Sequence, residues 1–289
     1  MAAAPSDPPD DRWEGERVAR WIRQSAGLER QLEPVSDVLF ATAGLQPGER
    51  VLDVGCGTGP TTRRAAAEVG PEGAVTGLDV AGPMLAHAAS VSVPDGSAPL
   101  SWVEADAATW DPPEGAYDVV LSRFGVMFFD DPSAAFATLA RAATPDGRLV
   151  VAVWAERPES ELFEMPLQVA LEALRARGLD PEVPPVDGGP FSLGDEDRAR
   201  ALLTGAGWTD VGCEVHRLAM PFGGALSAPE AAESSLDFGP TRLVTEGADD
   251  AGRAAVVEAL TDAFSARLDA EGHVTLEGTV VVLSATATG

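Results

Sequence analysis

The chain has 289 residues, 45% of them hydrophobic, enough for one large α/β domain or a core domain with a cap. Its 46 acids face 20 bases, for a net charge of -26, which repels polyanions and argues against a nucleic-acid partner even where a local arginine patch exists. No apolar run approaches the roughly 18 residues that span a bilayer, Met1–Asp11 is not basic and then apolar, and two cysteines make no disulfide framework; the expectation is a cytoplasmic protein with no export signal and no membrane insertion.

Every base is an arginine, and lysine is absent. That bias fits either a GC-rich genome or, together with the acidity, a salt-adapted host.

In chain order, residues 1–11 read as a disordered Pro/Asp/Ala-rich tail. Residues 12–48 hold helical periodicity over 13–28 and 29–43, with Pro34 inside or between, and are expected over a cofactor mouth. Residues 49–155 then alternate short Val/Leu-rich strands with helices: strands over 50–54, 73–79, 100–104, 116–121 and 147–153, helices over 59–69, 82–90 and 131–143. Val119-Val120-Leu121 and Leu149-Val150-Val151 are apolar at consecutive positions, as in strands covered on both faces. This rhythm predicts an α/β fold with a doubly wound, mostly parallel sheet. An insertion over 156–193, helical at 162–177 and Pro/Gly-rich at 178–190, reads as a substrate lid. Residues 194–289 resume the core with a helix over 195–205 and strands over 210–218 and 276–285, interrupted by a helical cap at about 224–272.

Chemistry concentrates at the strand ends, where such sheets bind ligands. After the first strand comes Asp53-Val54-Gly55-Cys56-Gly57-Thr58-Gly59, a turn with no Cβ at three alternating positions, so that backbone can approach a ligand closely. A dinucleotide fingerprint would place its third glycine at 60, where Pro60 stands. A ligand-free glycine connector is the bland alternative. Asp79 ends the second strand and suits a ribose diol, with an exposed helix N-cap as its plainer reading. Asp106, past the third strand, suits the exocyclic amine of adenine or is a simple loop aspartate.

The G-x-G-x-G turn with Asp53 two residues before it resembles motif I of the class I S-adenosylmethionine (SAM) methyltransferases. The segment from Ser122 to Pro132, S-R-F-G-V-M-F-F-x-D-P, followed by A-F and P-x-G-R-L-V, is similar to a bacterial UbiE-like group of that class. Trp13-Glu14-Gly15, Thr61-Thr62 and Pro83-Met84-Leu85 add to the resemblance, which runs from about Trp13 to Trp154. It implies a Rossmann-like, seven-stranded fold and SAM as cofactor. The backbone at Gly55, Cys56, Gly57 and Gly59 would face the methionine part of SAM, with Asp53 ordering the loop or meeting the amine. Asp79 would hold the ribose, Val80 and Met84 would flank the adenine, and Asp106 with Ala107 would meet its edge. Ser122, Arg123 and Phe124 would sit beside the methionine moiety and the methyl group. Two departures stand out: Pro60 follows the glycines, harmless at a helix start, and Glu14 replaces the asparagine of W-N-G, which bears on substrate preference.

Methyl transfer from a sulfonium needs alignment and desolvation, and a base only when the acceptor must lose a proton early. No residue stands out as that base. His87, His216 and His273 lack metal-ligand spacing, and no zinc pattern occurs. Trp13, Phe128 and Trp154, with Trp21 and Phe124, could wall an apolar acceptor pocket or simply pack in the core. The resulting expectation is a SAM-dependent methyltransferase of a small molecule, a specialised metabolite or quinone-like compound. A same-fold enzyme that binds SAM for a non-methylating reaction, or a non-catalytic SAM-binding regulator, remains as an alternative. The residues leave open the acceptor atom (N, O, C or S) and the oligomeric state.

Overall fold

A computed structural model describes residues 13–288, so the tail expected over 1–11 lies outside the described residues. Among those residues one sheet has the strand order β3-β2-β1-β4-β5-β7-β6. Its strands are β1 (Arg50–Val54), β2 (Ala74–Asp79), β3 (Leu100–Glu104), β4 (Tyr117–Arg123), β5 (Ala143–Trp154), β6 (Trp208–Pro221) and β7 (Thr275–Ala287). Pairing from β3 through β5 is parallel, and β7 runs antiparallel to both β5 and β6. The doubly wound, mostly parallel sheet expected from the strand rhythm is therefore what forms. Val119, Val120, Leu121, Leu149 and Val151 are fully buried, because helices cover both faces of these central strands.

The chain winds outward from β1 to β3 and then crosses back to β4, so strand order reverses between β1 and β4. Ligands of open α/β sheets bind at that crevice. Two helices follow the first strands: α2 (Pro60–Val69), with Pro60 at a position that needs no N–H donor, and α3 (Gly82–Ser90). α4 (Pro132–Ala142) is capped by the Asp131 side chain, which accepts from the Ala134 N–H at 3.0 Å.

The N-terminal segment differs from expectation. Instead of two helices it is one, α1 (Gly15–Ala43), with Pro34 in its interior. The proline removes one backbone hydrogen bond, yet Leu32, Val35, Leu39, Phe40 and Ala43 form a buried stripe on the sheet layers, and that burial carries the helix through. Its first turns pack elsewhere: Val18 joins Ala81 and Met84 of the α3 start, with Trp13, Trp21 and Ile22 around them. One helix thus braces the core with its second half and overhangs the strand ends with its first.

After β5, α5 (Glu161–Ala176) buries Leu162, Leu167, Ala170, Leu171 and Leu174, packing on α8 (Gly239–Thr245) and α9 (Asp250–Ser265). α6 (Glu196–Gly205) leads into β6, and α7 (Ala228–Ser235) opens the helical insertion between β6 and β7. The two C-terminal strands run a few residues beyond the spans predicted for them, because β6 and β7 pair over nearly their whole lengths.

Candidate active site

The glycine turn forms three left-handed residues, with φ of 66° at Gly55, 54° at Gly57 and 76° at Gly59. Only one of them leaves room for a ligand. A Cβ on Gly55 would lie 2.5 Å from the Cα of Gly125, and one on Gly59 would lie 2.6 Å from the Trp102 ring. A Cβ on Gly57 would meet nothing nearer than the Met84 sulfur at 3.7 Å. Gly55 and Gly59 thus serve close packing within the protein, and Gly57 presents bare backbone to open space.

That space is a cavity of about 400 Å³ at the β1/β4 crevice, in the range of small-molecule sites. Gly55, Gly57, Asp79, Val80, Met84, Asp106, Ala107, Arg123 and Phe124 all line it, and so do Trp13 and Phe128. The remaining sequence-predicted residues stand elsewhere. Cys56 is buried, and its thiol pKa is pushed up by burial. Ser122 is fully buried and donates to the Val54 carbonyl at 2.7 Å, which fastens the end of β4 to the end of β1. Its hydroxyl is a strand tie and does not line the cavity. Trp154 stacks on Phe124 with centroids 4.1 Å apart and meets Phe163 edge-on, so it supports the cavity wall from behind.

Asp79 is held before any ligand arrives. Its Oδ2 accepts from the Gly57 N–H and its Oδ1 from the Ala81 N–H, each at 2.8 Å. Each oxygen keeps a lone pair for another donor. Burial raises its pKa, and the backbone N–H groups oppose that rise. Asp106 accepts from the Ala108 N–H at 2.8 Å, so its loop is likewise preset.

Asp53 lies behind the turn, with none of its surface exposed. Its Oδ2 accepts from Thr61 at 2.7 Å and from Thr62 at 2.6 Å, clamping β1 to the first turn of α2, while Oδ1 has no partner. Burial pushes its carboxyl up to about 6, against the pull of the two threonine hydroxyls. The folded state therefore favours the protonated carboxyl more than the unfolded chain does. The stability this confers is complete below the ordinary carboxylate range near pH 4 and disappears as pH rises through about 6. Denaturant melts of the wild type and Asp53→Asn at pH 5 and pH 8 should show the difference between them shift by about 1–2 kcal/mol against the wild type at the higher pH. A pH-independent difference would mean that Asp53 titrates normally.

Sequence reasoning assigned no role to Leu78, Ala105, Gly125, Phe129 and Asp130, all of which line the cavity; Trp21, a candidate wall residue, and Glu14, singled out for substrate preference, line it too from the start of α1. The glycine of S-R-F-G is the signal that could have found Gly125; the others are ordinary residues placed by the strand ends. An aromatic wall runs from Phe128 through Trp13 to Trp21 and on to Phe238, with centroid distances of 5.3, 5.5 and 6.3 Å. Arg17 lies over the Trp13 ring at 4.1 Å. None of His87, His216 and His273 lines the cavity, and among the described residues no cluster of His, Cys, Asp or Glu could hold a metal. No residue of 156–193 lines it either. A second cavity, of about 360 Å³, gathers Arg20, Arg23, Arg242 and Arg253 between α1 and the α8–α9 region, but Glu16, Asp237 and Glu246 line it with them.

This donor set fits a nucleoside carrying an amino-acid tail. Asp79 offers two preset acceptor oxygens, Val80 and Met84 an apolar slot, Asp106 an acid beside it, and Gly57 a cradle that any Cβ would narrow. Sheet order, glycine turn and acid-tipped strands together define a Rossmann-like class I methyltransferase fold. Residues 51–147 match the family model described as "Methyltransferase domain".

Over 128 residues the chain is 38% identical to nocamycin O-methyltransferase of Saccharothrix syringae, covering 44% of this chain and 45% of that protein. It is 33% identical over 123 residues to the ubiquinone/menaquinone biosynthesis C-methyltransferase UbiE of Teredinibacter turnerae, covering 42% of this chain and 49% of that one. The chain thus spans about half the length of these relatives. Among solved structures, the cyclase SpnF aligns with a TM-score of 0.52 at 18% identity, covering 88% of this chain and 80% of that one. The same fold therefore also carries a cyclase. No helix among the described residues is long and apolar enough to cross a membrane.

Proposed function

We propose that the protein is a cytoplasmic SAM-dependent methyltransferase acting on a small, largely apolar acceptor, a specialised metabolite or a quinone-like compound. The observation that carries this reading is the preset Asp79 carboxylate, bonded to Gly57 at the glycine turn and facing the same cavity as an aromatic wall. In this reading Asp79 takes the ribose diol, Val80 and Met84 hold the adenine faces, and Asp106 with Ala107 meets its edge. SAM, when bound, supplies an electrophilic methyl group on a sulfonium.

The chain's own contribution is alignment and exclusion of water. Phe124 is held by its stack on Trp154, and Trp13, Trp21 and Phe128 close the apolar side, so an acceptor can be held in line with little solvent. The carboxylates of Glu14, Asp79, Asp106 and Asp130 are the only proton acceptors of the usual catalytic types among the described lining residues. Acceptors that react through a neutral lone pair, or whose proton one of these carboxylates takes, suit such a pocket best. The 156–193 insertion, packed on the C-terminal helices, supports the wall through the Phe163–Trp154 contact and tunes acceptor choice from behind.

The test is a screen of ionisable phenolic, carboxylic and enolic acceptors with SAM, read as S-adenosylhomocysteine formation. Turnover with an acceptor of this class is expected. SAM consumption without S-adenosylhomocysteine or a methylated product, or conversion of a substrate with SAM intact, would favour the non-methylating alternative that the SpnF fold likeness keeps in view.

A further inference from the structure

Arg123 is the one cation among the described residues lining the site cavity, whose other charged members are Glu14, Asp79, Asp106 and Asp130. Its side chain is 8% exposed, and α1 holds it in a specific pose. Nη2 donates to Glu29 Oε2 at 2.6 Å, and Nη1 donates to Glu29 Oε1 at 3.1 Å and to Ser36 Oγ at 2.5 Å. Glu29 therefore grips the guanidinium end-on, and Ser36 takes the remaining Nη1 hydrogen.

A guanidinium has five N–H donors in a rigid plane. With both Nη1 hydrogens and one Nη2 hydrogen engaged, the Nε–H and the second Nη2–H remain. These two lie parallel on the side of the guanidinium away from Nη1, and neither has a partner among the described residues. They form the side-on fork that matches a carboxylate in bidentate geometry. A buried arginine with two idle donors beside a cavity of otherwise negative lining favours an anionic group at that point.

We infer that Glu29 and Ser36 are positioning residues that turn the Arg123 fork toward the α-carboxylate of SAM. The inference rests on the SAM reading above and adds to it a role for α1. The helix overhanging the strand ends does more than cover the mouth: docking of its middle turns orients the one positive group the cofactor's amino-acid end can use. Without Glu29 the guanidinium is free to swing toward Glu14 or Asp130, and the carboxylate subsite becomes disordered.

The experiment is titration calorimetry of the full chain with S-adenosylhomocysteine and with decarboxylated S-adenosylhomocysteine, which keeps the adenosine, the sulfur and the amine. The wild type should bind the first more tightly. Arg123→Met should weaken it by about a hundredfold and leave the decarboxylated ligand unchanged. Glu29→Gln and Ser36→Ala, which keep shape and burial, should each weaken only the carboxylate-bearing ligand, by about fivefold. Equal losses for both ligands would show that the network merely fastens α1, and unchanged affinities in Glu29→Gln would overturn the positioning role. If the wild type bound both ligands equally, the carboxylate assignment alone would fall. Binding of neither would remove the SAM reading and this inference together.

Discussion

Asp79→Ala is expected to abolish most cofactor binding while barely changing the stability of the free protein. The carboxylate would accept two hydrogen bonds from the ribose diol, and bonds to a charged acceptor contribute about 1.5–3 kcal/mol each, so affinity for S-adenosylhomocysteine should fall by roughly a hundredfold to ten-thousandfold. Stability responds differently because two effects oppose each other. The variant orphans the Gly57 and Ala81 N–H groups, but it also removes a carboxylate whose raised pKa records the cost of burying its charge. A change in melting temperature of only a few degrees is expected. Asp79→Asn retains one acceptor and should lose about tenfold in affinity. Calorimetric titration beside thermal melts checks both parts, and an affinity within threefold of wild type would take Asp79 out of the ribose subsite.

Gly125→Ala should damage fold and site together. The added Cβ would stand 2.5 Å from the Val54 oxygen and 2.6 Å from the Gly55 Cα, both backbone atoms, so no rotamer can relieve the clash. The tips of β1 and β4 must then part, breaking the close contact that the buried Ser122–Val54 hydrogen bond reinforces. Overpacking of this kind costs about 3 kcal/mol or more. Because Gly55, Gly125 and Phe124 all line the cavity, cofactor affinity should drop by at least about tenfold as well. Gly205→Ala is the matched control: a Cβ there meets nothing within 4 Å, and the residue closes α6, so stability should hold or rise slightly. If Gly125→Ala melted like the control, the two loops would have to be far more pliant than their contact implies.

The Gly55–Gly125 contact also shows where sequence reading stops. Three glycines in a turn after an apolar strand signalled a ligand, and the cavity stands beside them. Nothing in the pattern says that Gly55 is needed for a neighbour 70 residues later in the chain, or Gly59 for the Trp102 ring. Ser122 illustrates the same limit. In a motif it resembles a site residue, yet its hydroxyl turns inward to the Val54 carbonyl, while alternation puts Arg123 on the other face and Phe124 leaves β4 in a left-handed conformation (φ 67°), so that these two reach the cavity. Trp154 sits one layer behind Phe124 for a comparable reason: it ends the adjacent strand, and the stacked pair fills the gap between strand tips.

The N-terminal segment errs in the opposite direction. Periodicity reads as two spans, 13–28 and 29–43, with Pro34 inside or between. The buried stripe from Leu32 to Ala43 outweighs the one hydrogen bond Pro34 removes, and α1 runs on as one helix. That continuity lets the helix anchor on the sheet and still carry Trp13, Trp21 and Glu29 to the strand ends.

What the sequence determined by itself was set by local periodicity and turn chemistry: the alternation of strands and helices, the doubly wound sheet, the glycine turn, and the acids at the tips of β2 and β3. Those features follow from short-range sterics and hydrophobic spacing, which are written in neighbouring residues. Only the tertiary structure decided which glycine is open to a ligand, which motif residues are struts, and how α1 closes the site. Each of these depends on elements far apart in the chain meeting at the β1/β4 crevice, where packing fixes the direction of every side chain.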